Sequence, residues 1–574
     1  MIKKINFKLT SVFIAALFMF SLVIPFSFTS VFAYMPKEAD VFYFNDFHGA
    51  VENGGGNAGI VKFAGEIKKL TADNPNSIVL SGGDMFQGSA PSNLTHGAIV
   101  NEMLKEIGLT ASSVGNHEFD WGVDVIPTWA SEGGYEFLAS NIYDKTTGQP
   151  VTWAKPYMIE EVGGIKIGII GLATPETAYK TAAENVANIE FKNPSESAKE
   201  WAVKLKDGSL EETVDVVIAL THLGAFQDKD GNITGEAAEL AEIDGLSVDA
   251  ILAAHTHQKV VGEVNEIPIL ESYYNGRIIG QLHIAENEGG TFSITATNNY
   301  LYEYDANGSK VSIEGLVDDA NTQAIYDDYM EKLSGTLNEI LGTTDKELSH
   351  DKTTGLSILG EWTTKVMAEE TDSQIGITNG GGLRRSLLKG DITMGDMYEV
   401  MPFDNTLVTM KLKGSDLKRV LENGILNDSI GWVQFYGVKV YYDKTAEAGE
   451  RITAMVLSDG TKVDMDKKYT VVTNDFMFGG GDNYDFTGAE DVVNTYIPIR
   501  DNLADKVREV KNVSFEYEEL LIDGELPEEV EATEAEDLPE TGSSVDMNVL
   551  GGAGLIIVIL GLTYVVIEKK KKTA

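Results

Sequence analysis

Five strand-length apolar runs in the first half of the chain each end in Asp, Asn or His, and this repeated device constrains the fold more than anything else in the sequence. They are VFYFNDFHG (41–49), SIVLSGGD (77–84), ASSVGNHEFD (111–120), VVIALTHLG (216–224) and AILAAHTHQ (250–258). Runs of this length, rich in β-branched residues, read as strands. EFLASN and IKIGIIGL have the same strand character without terminal ligands, and helical patterns such as GIVKFAGEIKKL (59–70) lie between the runs. The alternation predicts an α/β region built on a largely parallel sheet, whose ligands collect at the carboxyl ends of the strands, where these polar residues fall. The five runs cover 45 of 574 residues, so chance would place about 0.6 of the eight histidines in them; His48, His117, His222, His255 and His257 are all there. His96, His283 and His350 stand outside and are read as ordinary core or surface residues.

Residue type then selects the chemistry. Imidazole and carboxylate together suit a borderline divalent metal, and a carboxylate has two oxygens with which to bridge a pair of ions. Cysteine is absent, which removes disulfides, thiolate nucleophiles, Cys-type zinc sites and iron–sulfur clusters. With 45 Lys+Arg against 89 Asp+Glu the net charge is -44, so no nucleic-acid polymer is expected to bind through a broad basic face. Any anionic substrate needs a local positive centre. Two divalent ions supply one, because their four charges exceed the three of two aspartates and a bridging hydroxide.

NDFHG, GGD, GNHEFD, THLG and HTH stand in the order found in the 5′-nucleotidases, a branch of the calcineurin-like dinuclear metallophosphatases, and the chain resembles that family over both halves. The resemblance implies an N-terminal αββα sandwich (34–318), a helical linker (319–344) and a C-terminal α/β nucleotide-binding domain (345–515). It implies a first metal held by Asp46, His48, Asp84 and His257, and a second held by Asp84, Asn116, His222 and His255, with Asp84 as the bridge. The ions would be zinc, manganese or similar. His117 with Asp120 resembles the pair that stabilises charge on the phosphoryl group and its leaving oxygen, while a hydroxide held by both metals attacks phosphorus. In the second half, NGGGLRRSLLKGDITMGDMYEVMPFDN (379–405) and NDFMFGGGDNYDF (474–486) resemble nucleotide-binding motifs. By that match Asn379 and Arg384 contact base and phosphate, Phe403 and Phe476 enclose the base, and Asp482 accepts a ribose hydroxyl.

Departures from the family pattern are Ala254 before His-x-His, PFDN for PFGN, GGDNY for GGDGF, and Thr353, Thr354 and Gly355 where an arginine usually reaches the phosphate; Lys352 and Arg385 are candidate substitutes. The implied activity is hydrolysis of nucleoside phosphates, with AMP the leading substrate. A 2′,3′-cyclic nucleotide or a nucleotide sugar on the same metals, and a non-enzymatic surface adhesin, are the alternatives.

Both ends carry addresses. Lys3, Lys4 and Lys8 precede an apolar run from Ser11 to about Val31 that closes on Val31-Phe32-Ala33, as a signal peptide (1–33) does. At the other end LPETG (538–542) precedes an apolar stretch from Val549 to Ile567 and the lysines 569–572, an order that resembles the sorting signal of Gram-positive cell-wall proteins. That resemblance implies cleavage between Thr541 and Gly542 by a sortase and covalent attachment to peptidoglycan. Residues 516–541 are expected to form an acidic stalk.

Overall fold

In the strand Glu38–Phe44 every residue after the first is buried, and alternate side chains serve two different cores. Ala39, Val41 and Tyr43 join a core shared by two sheets, whereas Phe42 and Phe44 face helices on the outside. This is why the sequence there shows no polar alternation: both faces of the strand are covered. The computed structural model describes residues 36–210 and 212–527.

Two six-stranded sheets carry the first half. One runs, edge to edge, Phe292–Tyr300, Ile278–Glu286, Glu38–Phe44, Ser77–Ser81, Ala111–Ser113 and Glu136–Leu138; its last four strands are parallel. The other runs Lys259–Val264, Ile267–Ser272, Ala250–Leu252, Val216–Thr221, Ile165–Leu172 and Tyr157–Val162, with its four central strands parallel. Helices Gly59–Asp73 and Ala98–Glu106 cover the outer face of the first sheet. Pro194–Asp207 and Glu236–Ala241 cover the second. The layers are therefore αββα, as expected, and the five ligand-bearing runs all end at carboxyl ends of parallel strands.

The second half is a mixed five-stranded sheet in the order Gln434–Tyr436, Ile375–Thr378, Lys468–Asn474, Thr406–Lys413, Glu490–Pro498. Val471 and Val408 point to one core and their neighbours Val472 and Leu407 to the other, so the sheet is covered on both faces. Two expected boundaries shift. Of the linker 319–344, only Ala320–Leu337 is helix, capped by the Asp319 carboxylate on the Thr322 N–H at 2.8 Å, and its Ile325, Tyr326 and Tyr329 pack on the first-half core. Ile340–Thr344 is instead a strand between Gly390–Thr393 and Asn512–Val513, with Leu341 in the second-half core.

The second shift concerns the stalk, which does not start at 516. Leu520 is buried, Leu521–Asp523 pairs in parallel with Val438–Tyr442, and the Tyr517 hydroxyl donates to the Leu356 carbonyl at 3.2 Å. Apolar residues at 515, 517 and 520–522 supply the packing that the acidic composition further on lacks. The first compact unit of the chain extends through Glu525. Among the described residues no helix is long and apolar enough to cross a membrane. The signal peptide, the remainder of the stalk, Thr541, Gly542 and the apolar segment lie outside the described residues.

Candidate active site

Strand termini bring all seven expected ligands into one place. Asp46 and His48 follow Glu38–Phe44, Asp84 follows Ser77–Ser81, and Asn116 follows Ala111–Ser113. His222 follows Val216–Thr221, and His255 and His257 follow Ala250–Leu252. Three overlapping groups result, Asp46–His48–His257, Asp84–His222–His255 and, between them, His48–Asp84–His117, each with its ligand atoms within 4.8 Å of one another. Asp46, His48, Asp84, His255 and His257 all have φ between 47° and 75°. Left-handed backbone costs a non-glycine residue of order 1–3 kcal/mol, so five such residues persist only because the surroundings fix them. Gly115 is required by close approach: a Cβ there would stand 2.2 Å from Asp84 Oδ1.

Outer hydrogen bonds aim the ligand atoms inward. His48 Nδ1 donates to the Gln87 carbonyl at 3.1 Å and His222 Nδ1 to the Gly82 carbonyl at 2.7 Å, which leaves each Nε2 as a bare lone pair. Those nitrogens reach the cluster centres: His48 Nε2 lies 2.9 Å from His257 Nε2, and His222 Nε2 lies 3.2 Å from Asp84 Oδ2 and 3.3 Å from Asn116 Oδ1. His255 is turned the other way, with Nε2 donating to Glu176 at 3.1 Å and Nδ1 facing His222. Asp84 Oδ2 is also 3.9 Å from His48 Nε2, so one carboxylate oxygen is shared between the clusters. Burial raises the Asp46 carboxyl, but the His257 ring beside it outweighs this and holds it down at about 2.

The donor set fits divalent cations. Asp46 Oδ1 is fully buried, 3.3 Å from His257 Nε2, and has no hydrogen-bond donor among the described residues. A buried carboxylate oxygen without a partner costs several kcal/mol unless a cation compensates it, and mixed nitrogen and oxygen donors suit zinc, manganese or their like.

His117 bridges from the ligand groups, where it shares a group with His48 and Asp84, to Asp120. Its backbone N–H donates to Asp84 Oδ1 at 2.8 Å, and its ring Nδ1 donates to Asp120 Oδ2 at 2.7 Å, leaving Nε2 free for another group. Asp120 is itself fixed by the Thr181 hydroxyl at 3.0 Å. Burial opposes a charge on the His117 ring, yet Asp120 and Asp84 raise its pKa to about 9.

A cavity of about 930 Å³ opens here, and both halves line it. From the first half come Asp84, Asn116, His117, Asp120, His255 and His257; from the second come Asn379, Arg384, Phe403, Phe476 and Asp482, all of the expected substrate residues. Asn379 Nδ2 donates to Asp482 Oδ2 at 3.1 Å, and Asp482 pairs with Lys180 of the first half at 3.3 Å. Phe403 and Phe476 are not in ring contact with each other. Phe403 lies against His117, centroids 6.0 Å apart and planes 26° apart, with the Arg384 guanidinium 5.7 Å from its centroid. The two candidate phosphate cations separate: Lys352 lines the cavity, where desolvation and the nearby Arg384 lower its pKa, while Arg385 pairs with Glu399 elsewhere.

Several supporting residues escaped sequence reasoning. Buried Glu118 accepts the N–H groups of Asp84, Met85 and Gly115 at 2.7–2.9 Å and so clamps two ligand loops together; burial with Asp84 beside it pushes its carboxyl up to about 7. Glu271 does the same for the His222 and His255–His257 loops through Ala225, Thr256 and Gln258. Its signal was available, since IPILES (267–272) is an apolar run ending in a polar pair. IKIGIIGL also has a terminal contribution: Glu176 and Lys180 follow it. The Asp404 of PFDN pairs with buried Arg500 at 2.6 Å, whose guanidinium also approaches the carbonyls of Met401, Pro402 and Phe403 at 3.4–3.5 Å and secures the Phe403 loop. His283 and His350 bond to Asp40 and to Ser357 outside the cluster.

Three family models match the chain: calcineurin-like phosphoesterase over 40–259, 5′-nucleotidase C-terminal domain over 335–489, and LPXTG cell wall anchor motif over 530–574. Among curated relatives, Endonuclease YhcR of Bacillus subtilis is 31% identical over 75% of this chain, which spans only 36% of that longer protein. Cell wall protein Lmo0130 of Listeria monocytogenes is 26% identical over 88% of this chain and 71% of its own length. Among solved structures, a 5′-nucleotidase precursor from Thermus thermophilus covers 85% of this chain and 100% of its own at a TM-score of 0.71 and 24% identity, a likeness of fold. Candidate ligand loops at strand ends, a second domain lining the same cavity and the three matches agree: the chain carries, in order, a calcineurin-like phosphoesterase domain, a 5′-nucleotidase C-terminal domain and an LPXTG cell wall anchor motif.

Proposed function

We propose that the chain is a wall-anchored nucleotidase that removes phosphate from nucleoside monophosphates outside the cell, with AMP to adenosine as its main reaction. The observation that supports this reading is a shared cavity lined by Asp84, Asn116, His255 and His257 of the ligand loops together with Asn379, Phe403, Phe476 and Asp482. Asp46, His48, Asp84 and His257 would hold one ion, and Asp84, Asn116, His222 and His255 the other. Bound there, such ions supply a water nucleophile acidified to near neutral pH and neutralise charge on the phosphate.

The chain's own residues do the rest. Lys352 and Arg384 attract and orient the phosphate in a protein of strongly negative charge. His117, kept protonated by Asp120 and Asp84, delivers a proton at Nε2 to the leaving ribose oxygen. Asp482 and Asn379, already bonded to each other, present acceptors to the ribose and base, while the two phenylalanines hold the base by stacking.

The test is phosphate release by metal-stripped protein to which Mn²⁺, Zn²⁺ or Mg²⁺ is restored, with AMP, other monophosphates, ATP, 2′,3′-cyclic AMP and a nucleotide sugar as substrates. AMP is expected to give the highest kcat/KM. Preference for the cyclic ester or the nucleotide sugar would replace this assignment with a phosphodiesterase, and inactivity with every metal would reduce the surface protein to an adhesin.

A further inference from the structure

Beside the ligand cluster the chain keeps three cations, Lys259, Arg277 and Lys310, that meet no carboxylate within 4.0 Å among the described residues. In a protein with about twice as many acids as bases this is unexpected. Their side-chain partners are tyrosines, and Arg277 Nη2 also donates to the Gly55 carbonyl at 3.1 Å. Lys310 Nζ lies 4.8 Å from the Tyr273 ring centroid, Lys259 Nζ lies 5.3 Å from the same ring and 3.4 Å from the Tyr302 hydroxyl, and the Arg277 guanidinium lies 4.3 Å from the Tyr274 centroid. Arg277 is 8% exposed, and its Nε and Nη1 have no acceptor among the described residues.

These rings form a ladder that starts at a metal ligand. His257 stacks on Tyr274 at 4.9 Å; Tyr274 meets Tyr273 at 4.4 Å; Tyr273 stacks on Tyr302 at 5.9 Å; Tyr302 meets Tyr300 at 5.9 Å and Tyr304 at 5.8 Å. At its outer end Tyr300 and Tyr304 are 49% and 57% exposed. The chain brings it together from four places: the turn after Ile267–Ser272, the end of Phe292–Tyr300 with the short strand after it, the start of Lys259–Val264 and the start of Lys310–Ser312. None of these tyrosines lines the mononucleotide cavity, and His257 separates the two surfaces.

Unpaired cations favour an anion from outside, and exposed rings beside them favour an anion that carries flat groups. We propose that this tyrosine–lysine surface binds a single-stranded oligonucleotide, its phosphates on Lys259 and Lys310 and its bases on Tyr300 and Tyr304, and leads the strand toward His257. The net charge excludes a broad basic face, and the ladder is a local exception with room for a few nucleotides. The surface binds independently of the mononucleotide cavity, so it extends the substrate reading without resting on AMP as the substrate.

The experiment is fluorescence anisotropy of a labelled ten-residue oligothymidylate with the metal-loaded protein across a salt series, with unlabelled polyphosphate as competitor. Lys259→Ala combined with Lys310→Ala is expected to reduce the slope of log affinity against log salt by about 1.4, at roughly 0.7 for each single-strand phosphate that a lysine no longer neutralises. Tyr304→Ala, an exposed position, is expected to weaken binding by about 5- to 150-fold. Both variants should leave hydrolysis of the best mononucleotide within two-fold. No binding by the unaltered protein, or affinity and slope unchanged in both variants, overturns the proposal. So does displacement by polyphosphate as effective as by the oligonucleotide itself with Tyr304→Ala neutral, which would make the surface a polyanion site blind to bases. Loss of mononucleotide hydrolysis in the lysine variant would overturn its separateness.

Discussion

The two halves of the cavity are built on different principles. On the metal side every expected ligand sits at a strand end, four of them at 0–3% exposure, in backbone that is strained in five places and clamped by Glu118 and Glu271. On the nucleotide side Phe403 rides on a loop, Phe476 on a four-residue helix and Asp482 on a kink with φ 53°, each secured by a few side-chain bonds. Chemistry that needs several ligand atoms at one point is placed where the sheet is stiffest. In the proposed reading, choice of substrate falls to loops, which can be exchanged without disturbing the sheet.

That contrast predicts a graded response to substitution. The largest effect belongs to Asp84→Ala: with the shared oxygen gone, activity should fall to background and bound metal should drop at both sites. Near-normal metal content with full turnover would show that the two clusters do not depend on one bridge. Next is His117→Asn, expected to lower kcat by about 10²–10⁴-fold with metal content intact, because the ring, tied to Asp120 at Nδ1, is proposed to serve the leaving group and not an ion. A drop in metal content together with activity would move His117 onto the ligand side of the comparison.

The nucleotide side should respond in KM. Phe476→Ala is expected to raise KM for AMP by about 5- to 150-fold and to leave hydrolysis of a small aryl phosphate within a few-fold. Phe403→Ala is the less clean probe, since its ring also lies against His117; it should lower kcat as well. If both substrates decline equally with Phe476→Ala, the ring is core and the division of labour fails. Smallest is the phosphate contact: Lys352→Ala should raise KM for AMP by roughly 3- to 10-fold, in line with the net worth of one hydrogen bond, whereas Arg385→Ala, paired with Glu399 outside the cavity, should change it less than two-fold. Equal effects would return Arg385 to the site.

What was legible in the sequence follows the same division. A parallel strand buried on both faces announces itself as an apolar run, and the residue after it is forced to the ligand edge of the sheet, so Asp46, Asp84 and His222 could be placed by counting. Glu118, Glu176 and Glu271 could not, because their roles depend on which loop lies across from them, a matter of strand order and not of local pattern. IKIGIIGL shows the limit: its contribution comes four and eight residues after the strand, beyond the span in which a terminal ligand was sought. The linker and stalk boundaries were misplaced for the reverse reason. Ile340–Thr344 and Leu521–Asp523 are strands only because distant partners pair with them, and their short sequences carry no signal of it.

The short strand Leu521–Asp523 is also where the wall takes hold of the enzyme. Chain beyond Glu525 runs to the anchor motif, so any pull between cell surface and surroundings enters the folded unit through this strand. It lies parallel to Val438–Tyr442, with Val440 N–H donating to the Leu520 carbonyl at 2.7 Å, Gly524 N–H to the Tyr442 carbonyl at 2.8 Å, and Lys444 pairing with Asp523 at 2.7 Å. Tension along such a strand loads these bonds together instead of peeling them singly. A pull strong enough to free the tether would thus act first on the edge of this three-stranded sheet of the second domain.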